Sequence, residues 1–197
     1  MDVRFINPVL ETLMNVLGTM ANMEPKIGKP SLKKNQDAMG DVTGFMSMES
    51  PQTRGSMAIT FTRPVIFEIA RRMLGAELTE IDDTARDLTG EMANMVVGGA
   101  KNILADKGFD FEMSLPTVLS GQPHEIKHNG DGQAIVLPFK AESGDFYIEI
   151  CFEVSPHRVH IHCFVLSLLI YTYVMRYCFN PVKFILLLTD YNSGRKR

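Results

Sequence analysis

Residues 82–104 read DDTARDLTGEMANMVVGGAKNIL, and this stretch decides how the rest of the chain can fold. Asp82 and Asp83 supply capping and acidic groups at its start, where a helix favours both. Apolar residues then recur at helical spacing, so the stretch predicts one long amphipathic helix. We expect its apolar stripe to face a sheet, and the stripe consists of Leu88, Met92, Met95, Val96, Gly99 and Ile103.

A second stripe of the same helix combines polar residues with a glycine at spacings of three and four. Its members are Asp87, Glu91, Asn94, Gly98 and Lys101. It lies about 100° round the helix from the apolar stripe, so it should reach solvent. Asparagine is a poor helix former, and glycine costs about 1 kcal/mol relative to alanine. A glycine on an exposed stripe also lets another molecule approach the backbone beside Asn94.

Glu91 and Asn94 lie one turn apart and form a candidate catalytic pair. The carboxylate accepts hydrogen bonds and attracts a cation, whereas the amide can accept from and donate to one water molecule. An amide side chain orients the attacking water in this way in small GTPases. The pattern Glu-x-x-Asn is nevertheless common, and a merely solvated helix face would show the same residues. The pair by itself leaves both interpretations open.

The remainder of residues 1–154 alternates between helical and strand patterns. Further helices are predicted over 8–23, with Asn7 as N-cap, and from Pro64 to a stop at Gly75. Strands are predicted over 41–48, 55–61, 111–121, 134–137 and 146–154. Pro116 indicates an edge position or a bend in its strand, and Pro138 is expected to end the strand over 134–137. This order predicts an α+β fold in which helices cover a mainly antiparallel sheet.

Composition narrows the class of protein. The chain has 197 residues, of which 45% are hydrophobic and 22% charged, and its net charge is −3. These values suit an ordinary soluble globular protein and exclude a wholly disordered chain. The slight acidity argues against nucleic acid as the main partner. Three cysteines are too few for a disulfide framework, and no secretory pattern opens the sequence, so we expect a cytoplasmic protein.

The amino-acid composition of the chain changes near Ser155. Residues 1–154 hold 22 of the 23 acidic residues and 14 of the 20 basic ones, which gives net charges of −8 before the change and +5 after it. Twelve of the thirteen methionines also precede it. We therefore predict a domain over 1–154 and an atypical hydrophobic and basic tail over 155–197. A frameshift or a read-through extension is our hypothesis for the tail, and an intact mass matching 22.1 kDa for the native protein would contradict it.

The tail offers two further candidate features. His157, His160, His162 and Cys163 have spacings that metal ligands can take, although alternation along a strand explains His160 and His162 equally well. We predict no metal site. The apolar run over 163–175 falls short of the roughly 20 residues of a spanning helix, so a buried or aggregation-prone segment is favoured over a membrane anchor.

The body of the chain resembles the CheC/CheX/FliY phosphatase family of bacterial chemotaxis, and in particular its CheX-like members. The resemblance covers about residues 3–154, and its most telling stretch is Gly90–Lys101. The other matching segments are Phe5–Pro8, Gly40–Gly44, Gly55–Ile59, Arg72–Gly75, Ser114–Val118 and Gly121–His124. The family signature is matched by Asp87, Glu91, Asn94 and Pro116.

This resemblance implies dephosphorylation of the phosphoaspartate in a CheY-type response-regulator receiver domain. It implies that Asn94 orients the hydrolytic water and that Glu91 docks a lysine of the partner. Asp87, Gly98 and Lys101 are then expected to line the partner-binding surface. The receiver would supply Mg²⁺, so the protein would need no cofactor of its own. A homodimer is a further expectation.

Two points remain open at the level of the sequence. Relatives of the CheC and FliY type carry two catalytic centres, but Glu11 and Asn15 of the first helix have the wrong spacing, so one centre is expected here. A non-catalytic adaptor that binds a signalling partner through the same helix is the alternative function.

Overall fold

The computed structural model describes residues 3–51, 53–121, 123–129 and 132–154. The chain divides into two units, Met1–Ser155 and Pro156–Arg197, and all described residues belong to the first. There are three helices in this part, α1 (Val3–Ala21), α2 (Arg63–Leu74) and α3 (Asp83–Ala105). The strands are β1 (Lys26–Ile27), β2 (Ser31–Leu32), β3 (Val42–Glu49), β4 (Thr53–Phe61), β5 (Glu112–Met113), β6 (Thr117–Ser120), β7 (Ile135–Ala141) and β8 (Gly144–Val154).

All eight strands belong to one antiparallel sheet. Its order is β1-β7-β8-β4-β3-β5, with β2 pairing to β7 and β6 pairing to β3. Strand β4 lies in the middle, where Ile59 is paired with Gly44 on one side and with Ile148 on the other. The α+β fold predicted from the sequence is therefore confirmed.

Successive side chains of β4 and β8 point to opposite faces of the sheet. Met57, Ile59 and Phe61 point to the helical side, where they join a fully buried apolar core. The first helix seals this core with Val9, Leu13 and Leu17, which recur at helical spacing. The alternating side chains of the strands and the apolar stripe of α1 thus meet in one core layer. This layer positions α3.

The first helix begins earlier than Pro8, contrary to the prediction of a start at residue 8. Phe5 is buried, and its ring stacks on that of Phe152 with 4.5 Å between centroids. Pro8 removes the hydrogen bond that its N–H would give to the carbonyl of Arg4, and its ring crowds that carbonyl, but both effects are confined to the start of the helix. Burial of an aromatic ring outweighs that loss, so the helix extends to Val3.

Strand β7 runs through Pro138, whereas the sequence predicted a stop there. Gly28 N donates to Pro138 O at 2.7 Å, so the backbone polar side of Pro138 faces away from β8. In an antiparallel strand the N and O of one residue point to the same side, so proline costs no bond to β8. Its missing donor falls opposite the gap between β1 and β2.

The other predicted elements agree with the structure to within a few residues. Gly75 ends α2 in the left-handed region with φ of 66°, as a glycine after a helix should. The strand predicted over 111–121 is interrupted at Ser114–Pro116, and both of its parts, β5 and β6, pair with β3 at the sheet edge. The bend indicated by Pro116 is thus present. The two-residue strands β1 and β2 had no pattern long enough to reveal them.

Candidate active site

Helix α3 is held close to the sheet at one point. A Cβ atom on Gly44 of β3 would lie 2.8 Å from Thr89 O and 2.9 Å from Ala93 Cβ, so only glycine fits there. Asp82 caps the helix start, because its side chain accepts a hydrogen bond from Ala85 N at 2.9 Å. The helix is therefore anchored both at its N-terminus and against β3.

The apolar stripe of α3 is buried for the most part, as predicted. Leu88, Met92 and Val96 belong to the core, and Met95 packs against it. Gly99 differs from the prediction, since a Cβ atom there would lie 2.4 Å from Thr12 Cγ2 on α1. It faces the neighbouring helix α1 rather than the sheet. Ile103 is only half-buried.

The polar stripe of α3 reaches solvent along its length. Asp87, Glu91 and Asn94 are exposed, whereas Gly98 and Lys101 are partly exposed. Nothing lies within 4 Å of the position that a Cβ atom would take on Gly98. The five residues predicted to share one accessible face therefore share it in the structure.

The side chains of Glu91 and Asn94 make no hydrogen bond or ion pair with any residue that the structure describes. Three residues advance a helix by about 4.5 Å, so a carboxylate and an amide are offered side by side. Because neither group is engaged internally, both are available to another molecule. Such a pair can bind a cation and position a water, as the sequence suggested.

Pro116 lies beside this stripe. A Cβ atom on Gly90 of α3 would lie 3.2 Å from Val118 Cγ2 and 3.8 Å from Pro116 Cγ. Gly90 and Asn94 are four residues apart and share one side of the helix. The three signature residues on α3 and the distant proline are thus brought to one region by the packing of β6 against α3.

A second polar cluster lies on the face of the sheet that the helices do not cover, and sequence reasoning missed it. Lys33 Nζ lies 2.5 Å from Glu149 Oε1, and His128 Nε2 lies 3.0 Å from Glu149 Oε2. His128 Nδ1 in turn lies 2.9 Å from Ser56 Oγ. Ser56 is fully buried and also accepts from Asn129 N, so its hydroxyl cannot reach a substrate. The cluster fastens two loop segments to the sheet.

The structure bears on a metal site and on a membrane-spanning helix only for the residues that it describes. There, no group of three or more His, Cys, Asp and Glu side chains is placed to hold a metal ion. In the same part of the chain, no helix has both the length and the apolar character needed to cross a membrane. His157, His160, His162, Cys163 and the apolar run over 163–175 lie outside it.

Known proteins share sequence and structure with this chain. Residues 42–140 match the model of the family described as chemotaxis phosphatase CheX. A crystal structure of a CheC-like superfamily protein from Shewanella sp. PV-4 is 56% identical, with a TM-score of 0.73, and the match covers 78% of this chain and 99% of that one. The CheY-P phosphatase CheX of Thermotoga maritima is 25% identical over 154 residues, which cover 76% of this chain and 97% of the relative.

A more distant structure shares the fold. It is the CheX-CheY-BeF3-Mg²⁺ complex from Borrelia burgdorferi, 23% identical, with a TM-score of 0.65, and the match covers 76% of this chain and 97% of that one. The family match runs from the start of β3 to Lys140 in β7, so it includes α2 and α3, and α3 carries the exposed Glu91–Asn94 pair. The 56% identical relative aligns over nearly its whole length. The chain belongs to the CheX family of chemotaxis phosphatases.

Proposed function

We propose that this protein hydrolyses the phosphoaspartate of a CheY-type receiver domain in chemotaxis or related two-component signalling. The observation that carries the proposal is the exposed Glu91–Asn94 pair, which has no partner among the described residues. Family membership supports the same chemistry, and one relative is named a CheY-P phosphatase. An adaptor would need an exposed surface, but it would not need an amide free to hold water.

Asn94 orients the attacking water. Its amide oxygen accepts one O–H of the water while its NH₂ group donates to the water oxygen, which holds the molecule in line with the phosphorus. The water oxygen forms a bond to phosphorus and the bond between phosphorus and the aspartyl oxygen breaks. Inorganic phosphate leaves, and the receiver recovers its free aspartate carboxylate.

Glu91 docks the partner. Its carboxylate lies within the same turn and accepts from a lysine ammonium of the receiver, which fixes the orientation in which Asn94 enters. Asp87 and Lys101 contact the receiver on either side along the stripe, and Gly98 leaves room for its backbone. The receiver brings its own Mg²⁺, which neutralises charge on the phosphoryl group.

Loss of radiolabelled phosphate from CheY-type receivers of the same cell tests the roles of both residues. Asn94→Ala is expected to lower the rate at saturating receiver by about 100-fold or more while the receiver still binds, because only the positioning of water is lost. Glu91→Ala is expected to weaken docking and turnover together. Asn102→Ala is the matched control, since Asn102 is an exposed asparagine on the same helix.

The outcomes separate the candidate functions. Full activity of Asn94→Ala would contradict the assigned mechanism, and binding without any acceleration by the unaltered protein would favour an adaptor. Glu11→Ala and Asn15→Ala are expected to be fully active, because we assign one centre to each chain. Loss of activity in either variant would argue for a second centre on α1.

The organisation of the chain follows from the same proposal. We assign the phosphatase domain to 1–154 and treat 155–197 as an addition to it. The Shewanella and Thermotoga relatives support this boundary, since they match along nearly their whole length yet cover only 78% and 76% of this chain. A cytoplasmic location and a homodimer belong to the proposal, and light scattering of the purified chain tests the dimer.

A further inference from the structure

We infer that Leu115 is a docking residue that packs against an apolar patch on the receiver domain while Asn94 reaches the phosphoryl group. The inference rests on the proposed function and adds a contact outside α3. Leu115 lies between β5 and β6, at the edge of the sheet. Three features of its surroundings carry the argument: its exposure, the rigidity of its backbone and its position beside Asn94.

Leu115 is far more exposed than an ordinary surface leucine. Its exposed fraction is 86%, and the next most exposed large hydrophobic residue in the described part of the chain is Leu74 at 56%. A single exposed leucine is unremarkable in a mobile loop, where the side chain can fold back onto the surface. What requires explanation is a leucine held away from the surface by a fixed backbone.

The backbone on both sides of Leu115 is fixed. Ser114 N donates to Ser47 O at 3.0 Å, and Ser47 N donates to Ser114 Oγ at the same distance. On the other side Pro116 has its φ restricted by its ring, and Thr117 is already paired with Phe45 of β3. The leucine side chain is therefore presented to solvent in a preorganised position, which lowers the entropy cost of binding.

Leu115 is next to the catalytic pair. Its neighbour Pro116 lies against Gly90, one turn before Asn94 on the same side of α3. A standard interface buries about 800 Å² on each partner, which corresponds to a patch about 15 Å in radius. A receiver centred on Asn94 therefore covers Leu115. An apolar anchor beside a polar pair is a common arrangement in interfaces, in which the anchor gives affinity and the polar groups give orientation.

The experiment compares Leu115→Ser with Leu32→Ser as the matched control. Leu32 is also an exposed leucine, at 54%, but it lies in β2 near the opposite edge of the sheet from β6. The probe is the CheY-type receiver selected by the phosphate-release assay, activated with BeF₃⁻ and Mg²⁺. Binding is measured by fluorescence anisotropy, and turnover is measured as the dependence of phosphate release on receiver concentration.

We expect Leu115→Ser to raise the Kd and the KM for the receiver by about tenfold or more, because the leucine that becomes buried against the receiver is replaced by a polar side chain. The kcat should stay within about twofold of the unaltered protein, which is the reverse of the result expected for Asn94→Ala. Leu115→Met should keep binding close to that of the unaltered protein, and Leu32→Ser should leave the Kd and the KM unchanged.

Two results would overturn the inference. One is an unchanged Kd for Leu115→Ser when the unaltered protein binds and turns over the receiver. The other is a molecular mass, measured by light scattering, that differs between Leu115→Ser and the unaltered protein. That difference would assign Leu115 to contact with a second copy of this chain. Failure of the proposed function has a different signature, since the unaltered protein would then not accelerate phosphate release from any receiver.

Discussion

Glu91 and Glu149 are both glutamates, but they differ in exposure and in the partners of their carboxylates. Glu91 is exposed on α3 and has no partner among the described residues. Glu149 is 0% exposed on β8, and its two oxygens are engaged by Lys33 and His128. A carboxylate that is fully engaged inside the protein holds the fold together, whereas one left unengaged at the surface is available to a partner.

The structural and the functional carboxylates are kept apart on opposite sides of the sheet. The buried cluster fastens loop segments to one face of the sheet, and α3 presents its polar stripe from the other face. Truncating Glu91 or Asn94 on the stripe should therefore change function with little change in stability, and a substitution in the cluster should do the reverse.

Glu149→Ala is expected to lower the free energy of unfolding by about 3–5 kcal/mol, because it leaves the buried groups of Lys33 and His128 without their partner. Glu91→Ala should stay within about 0.5 kcal/mol of the unaltered protein. Urea unfolding of both variants measures the difference. Equal stabilities would show that the buried cluster does not hold the loops, and the comparison would fail.

Gly99→Ala is expected to cost about 1–3 kcal/mol, since its Cβ atom would lie 2.4 Å from Thr12 Cγ2. Thermal unfolding measures the loss. The double variant Thr12→Ser/Gly99→Ala removes the methyl group that causes the clash, so it should recover most of the stability. If the single variant were as stable as the unaltered protein, the contact between α1 and α3 would be looser than the structure indicates.

Gly98→Ala, one residue away, should have the opposite effect. Nothing lies within 4 Å of its Cβ position, so alanine gains about 1 kcal/mol of helix propensity. Turnover should nevertheless fall if the receiver backbone approaches this point. A variant that is both more stable and fully active would remove Gly98 from the partner-binding surface and sharpen the site to Glu91 and Asn94.

The smallest effect is expected on α2, where hydrogen bonds from Arg71 and then Arg72 lower the pKa of Glu68 to about 2. A pKa lowered by folding contributes stability that is present above the unfolded value of about 4.5 and is lost as the pH falls towards 2. The contribution should be below about 1 kcal/mol, because the pairs are solvent-accessible.

Glu68→Gln isolates this contribution. The variant should be slightly less stable than the unaltered protein at pH 7, and the two should converge as the pH approaches 2. Chemical unfolding at several pH values measures the gap. A gap that did not change with pH would mean that the ion pairs with the two arginines do not stabilise the fold.

Local patterns predicted the elements that one stretch of sequence determines alone. Helix α3 has its cap, its apolar stripe and its polar stripe within one run, so its bounds and its exposed residues could be inferred. Pro8 and Pro138 misled the prediction for the same reason. Whether a proline ends an element depends on what its neighbours bury and on which side its missing donor faces, and both are decided by distant residues.

The buried cluster could not be predicted because its members are scattered along the chain. Lys33 and Glu149 are 116 residues apart, and alternation along β8 places Glu149 on the side that would be exposed in a two-layer fold. Loops cover that side, and a loop without periodicity gives no sign of what it covers. Leu115 was missed for a related reason, since a leucine within a strand pattern is expected to be buried.

The stacking of Phe5 on Phe152 has a consequence for synthesis on the ribosome. These rings come from the first helix and the last strand, so the aromatic contact joins residues separated by almost the whole domain. Contacts of such long sequence separation form late, after the intervening chain is in place. Until β8 has emerged, the nascent chain exposes the inner face of α1 and lacks one of the two strands that pair with β4. This is the interval in which a chaperone would bind it.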